Sequence, residues 1–375
     1  MTWKTAMSER AELIRLVRSR TMSVAELARR FGVCRTTAYK WLRRSQEDDS
    51  VADRSRRPHR SPGRTDSALE AAVIAVRQAH RRWGGRKIRQ VLLNAGHATV
   101  PACSTITDIL RRHDLIDPAD SVASTPWKRF EHAAPNDLWQ MDFKGTIKVG
   151  PRDCDPLTVL DDHSRFNIAL RATPDMTGKT VQKALSEAFR IYGMPWRMNM
   201  DNGSPWGIAN GVSSNLSAFA IWLIQLGIRV SFSAPHHPQT NGKDERFHRS
   251  LKAELLSQER FVSLRQAQRA FDLWRQIYNT VRPHQGIGMA VPADRYQPSL
   301  RSFPQVLPEL QYPPADTVTR VRGHGRLYFK GTCTTLSMAL SNHHVALRAR
   351  DAQDGIYDVY FGHHHLTVID LHQEP

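Results

Sequence analysis

The chain has 375 residues, 40% of them hydrophobic, which suffices for about two to four domains and excludes a small peptide scaffold. Its 53 Lys and Arg outnumber its 36 Asp and Glu, and the net charge of +17 favours a polyanionic partner, most often nucleic acid. The excess is +13 over residues 1–130, +4 over 131–300 and zero over 301–375, so the N-terminal third is a basic arm.

The four cysteines are far apart and never form a Cys-x-x-Cys pair, which disfavours a disulfide framework and a thiolate zinc site. No apolar stretch is long enough to cross a membrane, and the N-terminus lacks the apolar region of a signal peptide. We therefore expect a cytoplasmic protein without a membrane partner, associated with the bacterial nucleoid when it binds DNA.

Residues 1–45 are predicted to form a helix-turn-helix domain. A capping-box pattern, Ser23 to Glu26, opens the second helix, and a turn at 32–34 precedes the third. The N-terminal residues of that third helix would enter the major groove of DNA. The predicted DNA contacts here are Arg35, Thr36, Thr37 and Lys40. The alternative is a plain three-helix scaffold.

A polar linker at 46–64 leads to a second predicted helix-turn-helix domain, residues 65–116. Its helices are expected at 68–80, 86–94 and 104–112, around a run of basic residues. The predicted DNA contacts in this run are Arg81, Arg82, Arg86 and Lys87. Two tandem modules would read a longer DNA end than one module could.

After a linker at 117–132, residues 133–300 have the element order of a ribonuclease-H-like mixed-sheet α/β core. Strands are expected at 138–148, 157–161, 167–171, 197–200 and 229–234. Helices are expected at 177–192, at 214–226, after Gly242, and at 264–278. Residues 315–375 alternate in short runs with glycine turns, which predicts a small β-barrel. The chain is thus predicted to be multidomain α/β.

Three acids occupy comparable places in this core: Asp142 in the first strand, Asp201 after a later strand, and Glu245 on the helix after the last strand. Strand ends of an open α/β sheet converge on one crevice, so these carboxylates can meet. Their mutual repulsion then calls for a divalent cation. Oxygen ligands without cysteine favour Mg²⁺, with Mn²⁺ able to substitute. Two such ions would suit phosphoryl transfer, with Asp142 bridging both.

Simpler readings stand beside this one. Glu245 and Arg249 are spaced as a solvated ion pair on a helix. The neighbouring cations are either solvated or contact DNA phosphates, and the predicted contacts are Arg246, Arg249 and Lys252. The run His363 to His365 is a weak metal candidate, because adjacent residues on a strand face opposite sides.

Several strings, in order, resemble the catalytic core of DDE insertion-sequence transposases, which is similar to that of retroviral integrases. They are WQMDFKG at 139–145, LDDHSRF at 160–166, MDNGSPWG at 200–207, PHHPQTNGKDERFHRSLKAE at 235–254 and YNTVRPHQGIGMAVPADRY at 278–296. WGGRKI at 83–88 and STITDILRR at 104–112 resemble the second helix-turn-helix of the same transposases.

The resemblance implies that Asp142, Asp201 and Glu245 form the DDE triad, bind Mg²⁺, and cleave and join DNA. The gap of 43 residues between Asp201 and Glu245 is longer than in related integrases, and we place the excess in the loop at 203–214. Asp161 and Asp162 are rival acids, but they lead a turn that one of them is expected to cap with Ser164.

The main hypothesis is a transposase that binds the terminal inverted repeats of a mobile element and acts as a homodimer or larger assembly on double-stranded DNA. One alternative is a non-catalytic DNA-binding regulator that kept an integrase-like core. Another is a ribonuclease-H-like nuclease acting on RNA–DNA hybrids or junctions. The tandem helix-turn-helix arm disfavours the nuclease, because a structure-selective enzyme does not need to read duplex sequence.

Overall fold

The computed structural model describes residues 7–47, 65–116, 131–201, 203, 205–206, 216–232, 242–351 and 353–372. The chain divides into two compact units, residues 1–64 and residues 65–375. Most of both predicted linkers and the segment 233–241, with its Pro-His-His-Pro sequence, lie outside the described residues. In the part that is described, no helix has the length and apolar character needed to span a membrane.

Among its described residues, 7–47, the first unit contains three helices: α1 (Met7–Arg18), α2 (Val24–Arg30) and α3 (Arg35–Glu47). Helix α2 begins where predicted, because Ser23 Oγ accepts a hydrogen bond from the backbone N–H of Glu26 at 3.3 Å. The helices enclose a small core of Leu13, Ile14, Ala28, Ala38 and Trp41. The predicted helical N-terminal domain is confirmed.

The second unit begins with another three-helix module: α4 (Ser67–Ala79), α5 (Gly85–Asn94) and α6 (Cys103–Arg112). Gly85 allows α5 to approach α6 closely, since a Cβ there would lie 2.7 Å from the carbonyl oxygen of Cys103. The core of the module consists of Val73, Trp83, Ile88, Leu92, Ile106, Ile109 and Leu110. We call residues 65–116 the second module below.

A mixed sheet follows the second module. Its strands are β1 (Leu138–Phe143), β2 (Ile147–Val149), β3 (Arg152–Asp161), β4 (Asn167–Thr173), β5 (Arg197–Met200) and β6 (Arg229–Phe232). The central order is β4-β3-β1-β5-β6, and β2 extends the edge by pairing with the start of β3. β3 is antiparallel to β1 and β4, whereas β1, β5 and β6 are mutually parallel. This topology confirms the predicted ribonuclease-H-like core.

Four helices cover the sheet: α7 (Gly178–Tyr192), α8 (Ala218–Gln225), α9 (Gly242–Leu251) and α10 (Leu264–Thr280). α7 and α8 pack with Met141 and Val159 on one face. α9 and α10 pack with Leu160 and Leu170 on the other face. Thr177 caps α7 as predicted, accepting a hydrogen bond from the N–H of Thr180 at 3.3 Å. The sheet therefore lies between two packed layers of helices.

The first strand is shorter than predicted. β1 ends at Phe143, and the chain turns at Gly145, whose φ of +87° is readily adopted only by glycine, before β2 begins at Ile147. The apolar alternation of the sequence runs across this turn, so periodicity alone did not reveal the break. The turn ends β1 directly after Asp142 and Phe143, which places the acid at the edge of the sheet.

The C-terminal residues form two antiparallel sheets. The strands are β7 (Thr317–Arg320), β8 (Arg326–Phe329), β9 (Thr332–Thr335), β10 (His344–Arg350), β11 (Gln353–Phe361) and β12 (His364–Asp370). β12, β11, β10 and β7 form one sheet, and β8 and β9 form a hairpin. Their apolar faces join the same core as α7 and α8. Ser337 Oγ also donates to the carbonyl of Leu216 at 2.6 Å, just before α8. These antiparallel sheets stand where the sequence predicted a small β-barrel at 315–375, and they pack against the ribonuclease-H-like core.

Candidate active site

Asp142 and Asp201 lie at matching positions on neighbouring parallel strands. Gln140 of β1 pairs in register with Asn199 of β5; Asp142 lies two residues further along β1, and Asp201 directly follows the last residue of β5. Side chains two residues apart on a strand share one face of the sheet. The register therefore brings the two acids side by side at the carboxyl edge, although they are far apart in sequence.

The environment of Asp142 combines burial with negative charge. Burial is the main cause that raises the pKa of this carboxyl to about 6, and the charges of Asp201 and Glu245 raise it further. The backbone N–H of Phe143 donates to Asp142 Oδ1 at 2.7 Å and opposes this rise, as does the charge of Lys144. Asp201 and Glu245 are therefore close enough for their charges to act on Asp142.

Glu245 occupies the first turn of α9, beside a buried acid that faces the other way. Glu245 is exposed, whereas the adjacent Asp244 is 2% exposed. Burial raises the pKa of Asp244 well above its usual range, and the charges of Asp142 and Asp162 add to the effect. The helix phase therefore leaves Glu245 accessible to solvent and substrate, while Asp244 is enclosed by protein.

His248 lies one turn after Glu245 and contacts the first acid. Its Nδ1 is 3.8 Å from Asp142 Oδ2, and its Nε2 is 2.9 Å from Thr158 Oγ1. Thr158 Oγ1 in turn donates to the carbonyl of Asp142 at 2.9 Å. Because that hydroxyl proton is used, it is Nε2–H of His248 that donates to Thr158, which turns the unprotonated Nδ1 toward Asp142.

The imidazole of His248 is neutral at physiological pH, since burial, followed by the charge of Lys144, lowers its pKa to about 4. No role was predicted for His248 from the sequence. The signal in the sequence was the spacing of three residues between Glu245 and His248, because residues three apart lie on one face of a helix.

The rival acids Asp161 and Asp162 are fully engaged inside the protein. Asp161 accepts hydrogen bonds from the N–H and Oγ of Ser164, at 2.8 and 2.6 Å, and so caps the turn as expected. Asp162 accepts from Gln140 Nε2 at 3.0 Å and from the ammonium of Lys243, which lies next to Asp244 at the start of α9. Both acids are at most 1% exposed, so neither is available to a substrate.

The donor set at this edge suits a hard divalent cation by its chemistry. Asp142, Asp201 and Glu245 offer only carboxylate oxygens, and the raised pKa of Asp142 reflects burial first and then a repulsion from the other two acids that a cation would relieve. Among the residues that the structure describes, no three His, Cys, Asp or Glu side chains already converge closely enough to hold a metal. In the histidine run, His365 Nε2 lies 2.8 Å from Asp358 Oδ1 instead.

Most of the predicted DNA-contacting residues are accessible. Thr37 is half-buried, and the exposed ones are Arg35, Thr36, Lys40, Arg81, Arg82, Arg86, Arg246, Arg249 and Lys252. Within the described part of the chain no ion pair joins Glu245 to Arg249, so the simple surface-pair reading of α9 has no support. Arg246 and Arg249 thus flank the acidic edge as free cations within that part.

Lys87 does not fit the predicted set of DNA contacts. Its Nζ lies 3.7 Å from Glu254 Oε1, and only 22% of its side chain is exposed. Burial lowers its pKa to about 8, with the charge of Arg282 contributing. The basic run of the sequence did not reveal that α5 turns this one cation toward the catalytic core.

Comparison with known domain families follows the same division of the chain. Residues 132–238 and 226–292 match families described as integrase core domains. Residues 9–59 match a helix-turn-helix domain, and residues 37–110 match a homeodomain-like domain. Residues 316–375 match the C-terminal domain of IS481 family transposases. The matches therefore cover the helical arm, the sheet and the C-terminal strands.

Similar proteins come from insertion elements and retroviruses. The chain is 28% identical over 236 residues to the insertion element IS476 uncharacterized 39.2 kDa protein of Xanthomonas euvesicatoria, covering 62% of this chain and 65% of that protein, slightly under two thirds of its length. It is 26% identical over 251 residues to the insertion element IS407 uncharacterized 31.7 kDa protein of Burkholderia multivorans, covering 62% and 82%. The Gag-Pro-Pol polyprotein of Simian retrovirus SRV-2 is 36% identical over 121 residues, 32% of this chain and 6% of the polyprotein.

Among solved structures, a simian T-cell lymphotropic virus intasome in complex with PP2A regulatory subunit B56 gamma aligns with a TM-score of 0.38 and 15% identity, over 79% of this chain and 99% of that chain. This similarity is too low to carry an argument. The domain families and the insertion-element relatives carry it instead. The matches to integrase core domains, to helix-turn-helix domains and to the C-terminal domain of IS481 family transposases, together with the insertion-element relatives, support an insertion-sequence transposase with a retroviral-integrase-like core.

Proposed function

We propose that this protein binds the terminal inverted repeats of a mobile element and catalyses metal-dependent DNA cleavage and strand transfer. The observation that carries the proposal is the strand register that brings Asp142 beside Asp201 at the carboxyl edge, with Glu245 of α9 near enough for its charge to raise the pKa of the half-buried Asp142. Clustered carboxylates at the carboxyl edge of a mixed sheet suit phosphoryl transfer, which requires charge neutralisation and alignment more than a covalent nucleophile.

Asp142, Asp201 and Glu245 would hold the metal ions, of which we propose two, Mg²⁺ or Mn²⁺. When bound, the ions supply charge neutralisation at the scissile phosphate and lower the pKa of the attacking water or 3′ hydroxyl. The chain's own residues prepare this site. Thr158 of β3 donates to the backbone carbonyl of Asp142 at 2.9 Å and accepts from Nε2–H of His248 at 2.9 Å, so that α9 and β3 together support the strand that carries Asp142. Removing one member should weaken the whole site, since the acids act together.

The DNA is proposed to contact accessible basic and polar side chains of both compact units. Arg246, Arg249 and Lys252 line the outer surface of α9 and its continuation, where phosphates of the cleaved end would lie. Arg35, Thr36, Thr37 and Lys40 open α3 and would read bases of the repeat. Joining two element ends to a target requires more than one active site, so we propose a homodimer or larger assembly on DNA.

The test is cleavage and joining of a labelled terminal-repeat duplex, taken from the DNA that flanks the gene, with and without Mg²⁺. We expect Asp142→Asn to lose cleavage and strand transfer while repeat binding changes less than about twofold, since the helix-turn-helix residues supply the affinity. Asp153→Asn is the matched control, because this aspartate is exposed on β3 and pairs with Lys148 at the surface.

Retained joining by Asp142→Asn would overturn the assignment of the site. Equal cleavage of RNA–DNA hybrids and terminal repeats by the wild type would instead favour a structure-selective nuclease. Repeat binding by a wild-type protein that never cuts under these conditions would favour a DNA-binding regulator.

A further inference from the structure

Glu254 lies in an unusual part of the helix that bears Glu245. α9 continues beyond Leu251 into a π-helical turn, Lys252–Leu256, and Glu254 is in the middle of this turn. Widened helical turns of this kind are rare and are found frequently at functional sites. Because the backbone is continuous from Glu245 to Glu254, a contact that shifts the π-turn also shifts the helix that carries Glu245.

On one side, the catalytic core fixes Glu254. Arg282 donates from Nε to both carboxylate oxygens of Glu254, at 2.9 and 3.2 Å. Its Nη2 lies 2.9 Å from Oε1 of the same carboxylate. The same nitrogen donates to Ser250 Oγ of α9 at 3.0 Å. Arg282 is 7% exposed and stacks 5.5 Å from the ring of Tyr278. Two-point contact with a buried guanidinium holds the carboxylate in one orientation.

On the other side, the second module reaches the same carboxylate. Lys87 of α5 places its Nζ 3.7 Å from Glu254 Oε1, and the two side chains are 22% and 11% exposed. Ile277 of α10 packs against the apolar core of the module nearby. Glu254 is therefore shared between a cation of a DNA-reading module and a cation of the catalytic core.

The packing around this ion pair is incomplete. A cavity of about 570 Å³ opens beside it, between residues 78–83 of the module and α10 of the core. Its lining includes Glu254 and Trp274 from the core and Trp83 from the module. Because apolar packing is interrupted here, the orientation of module and core depends on directional contacts such as that between Lys87 and Glu254.

We propose that Glu254 is a positioning residue that, through Lys87, sets the distance between the second module and the helix bearing Glu245. A DNA end read by the module is then presented to the catalytic acids at a single phosphate. The inference rests on the proposed function for this last step. The mechanical step, that the ion pair holds α9 and its π-turn, stands on the contacts alone.

The test variant is Lys87→Met, which removes the cation but keeps the length of its aliphatic stem. Glu254→Gln is used only as the second variant. It also weakens the buried contact with Arg282, so it can lower the stability of the protein for a reason unrelated to Lys87. Arg111→Met is the matched control: Arg111 is an exposed cation of the same module that pairs with Asp108 inside the module. All variants are made in the full chain, and their thermal unfolding midpoints are compared first.

Hydrogen exchange of the peptide 245–256 gives a readout that needs no catalysis. We expect Lys87→Met to speed exchange there by about tenfold relative to wild type and Arg111→Met, the scale of coupling between contacting charged residues. Unchanged exchange in both Lys87→Met and Glu254→Gln would overturn the proposal, whether or not the protein cuts DNA.

The position of the cut gives the second readout. With an end-labelled terminal repeat, wild type should cut at one phosphate, and Lys87→Met should spread its cuts over neighbouring phosphates while repeat affinity stays within about twofold. Weaker repeat binding with an unchanged cut position would mean that Lys87 contacts DNA directly and would contradict the proposal. A wild type that cuts nothing would count against the proposed function, and hydrogen exchange alone would then decide the role of Glu254.

Discussion

Replacing Asp142 by asparagine should stabilise the metal-free protein at neutral pH. In the folded chain the pKa of this carboxyl rises to about 6 from its ordinary value of 3.8, mainly because of burial and then because of the charges of Asp201 and Glu245. Asparagine has the same shape and keeps an oxygen that can accept from the N–H of Phe143, but it carries no charge. The substitution therefore removes an electrostatic cost and little else.

The direction in which stability changes with pH follows from proton binding. Between about pH 4 and pH 6 the folded wild type holds more protons than the unfolded chain, so its stability falls as pH rises through this window. The full pKa difference would correspond to ~3 kcal/mol, at ~1.4 kcal/mol for each pH unit. Since 33% of the side chain is exposed, solvent screens part of this cost, and we expect about 1–2 kcal/mol.

The assay is urea unfolding of the full chain, followed by tryptophan fluorescence, at pH 4 and pH 7.5 with a chelator present. The stability advantage of Asp142→Asn over wild type should be near zero at pH 4 and reach its full size at pH 7.5. Asp153→Asn should show no such change between the two pH values. An advantage of the same size at both pH values would refute the account of Asp142, as would an Asp142→Asn variant that is less stable than wild type at pH 7.5.

Three further predictions concern other parts of the chain. His248→Ala should weaken Mn²⁺ binding by about tenfold, and His248→Asn should recover part of the affinity. Wild-type affinity in His248→Ala would exclude a positioning role for His248. Gly193→Ala should destabilise the chain by about 2–3 kcal/mol, because φ is +71° and the new Cβ would collide with the carbonyl oxygen of Ser299. Gly96→Ala, where the added Cβ meets open space, should cost only about 1 kcal/mol. Equal unfolding midpoints would contradict this. Arg35→Ala should reduce the slope of log K for repeat binding against log salt concentration by about one. Arg15→Ala should leave this slope unchanged, because Arg15 already pairs with Glu12.

The fold was largely predictable because local signals agreed with the final structure. Ser23 and Thr177 cap helices where the sequence placed them, since a hydroxyl before an apolar helical period has few better partners than a free N–H. The order of strands and helices was enough to suggest the ribonuclease-H-like sheet. The break after β1 was missed because Gly145 changes the direction of the chain without interrupting the apolar alternation.

The site was predictable only in part. Strand order brings Asp142 and Asp201 to one edge, and that follows from topology. The contact of His248 with Asp142 depends on how α9 packs across the sheet, which no local pattern specifies. Lys87 illustrates the limit most clearly, because a cation in a basic run looks like a DNA contact until the fold sets Glu254 beside it. Long-range pairings of this kind have no signature in a single sequence.

The central claim is that Asp142, Asp201 and Glu245 form one metal site. Titration of the full chain with Mn²⁺, followed by electron paramagnetic resonance, tests this directly. Asp142→Asn, Asp201→Asn and Glu245→Gln should each lower Mn²⁺ affinity by at least about tenfold, and Asp153→Asn should bind as wild type does. Wild-type affinity in any one of the three acid variants would remove that residue from the site and contradict the account.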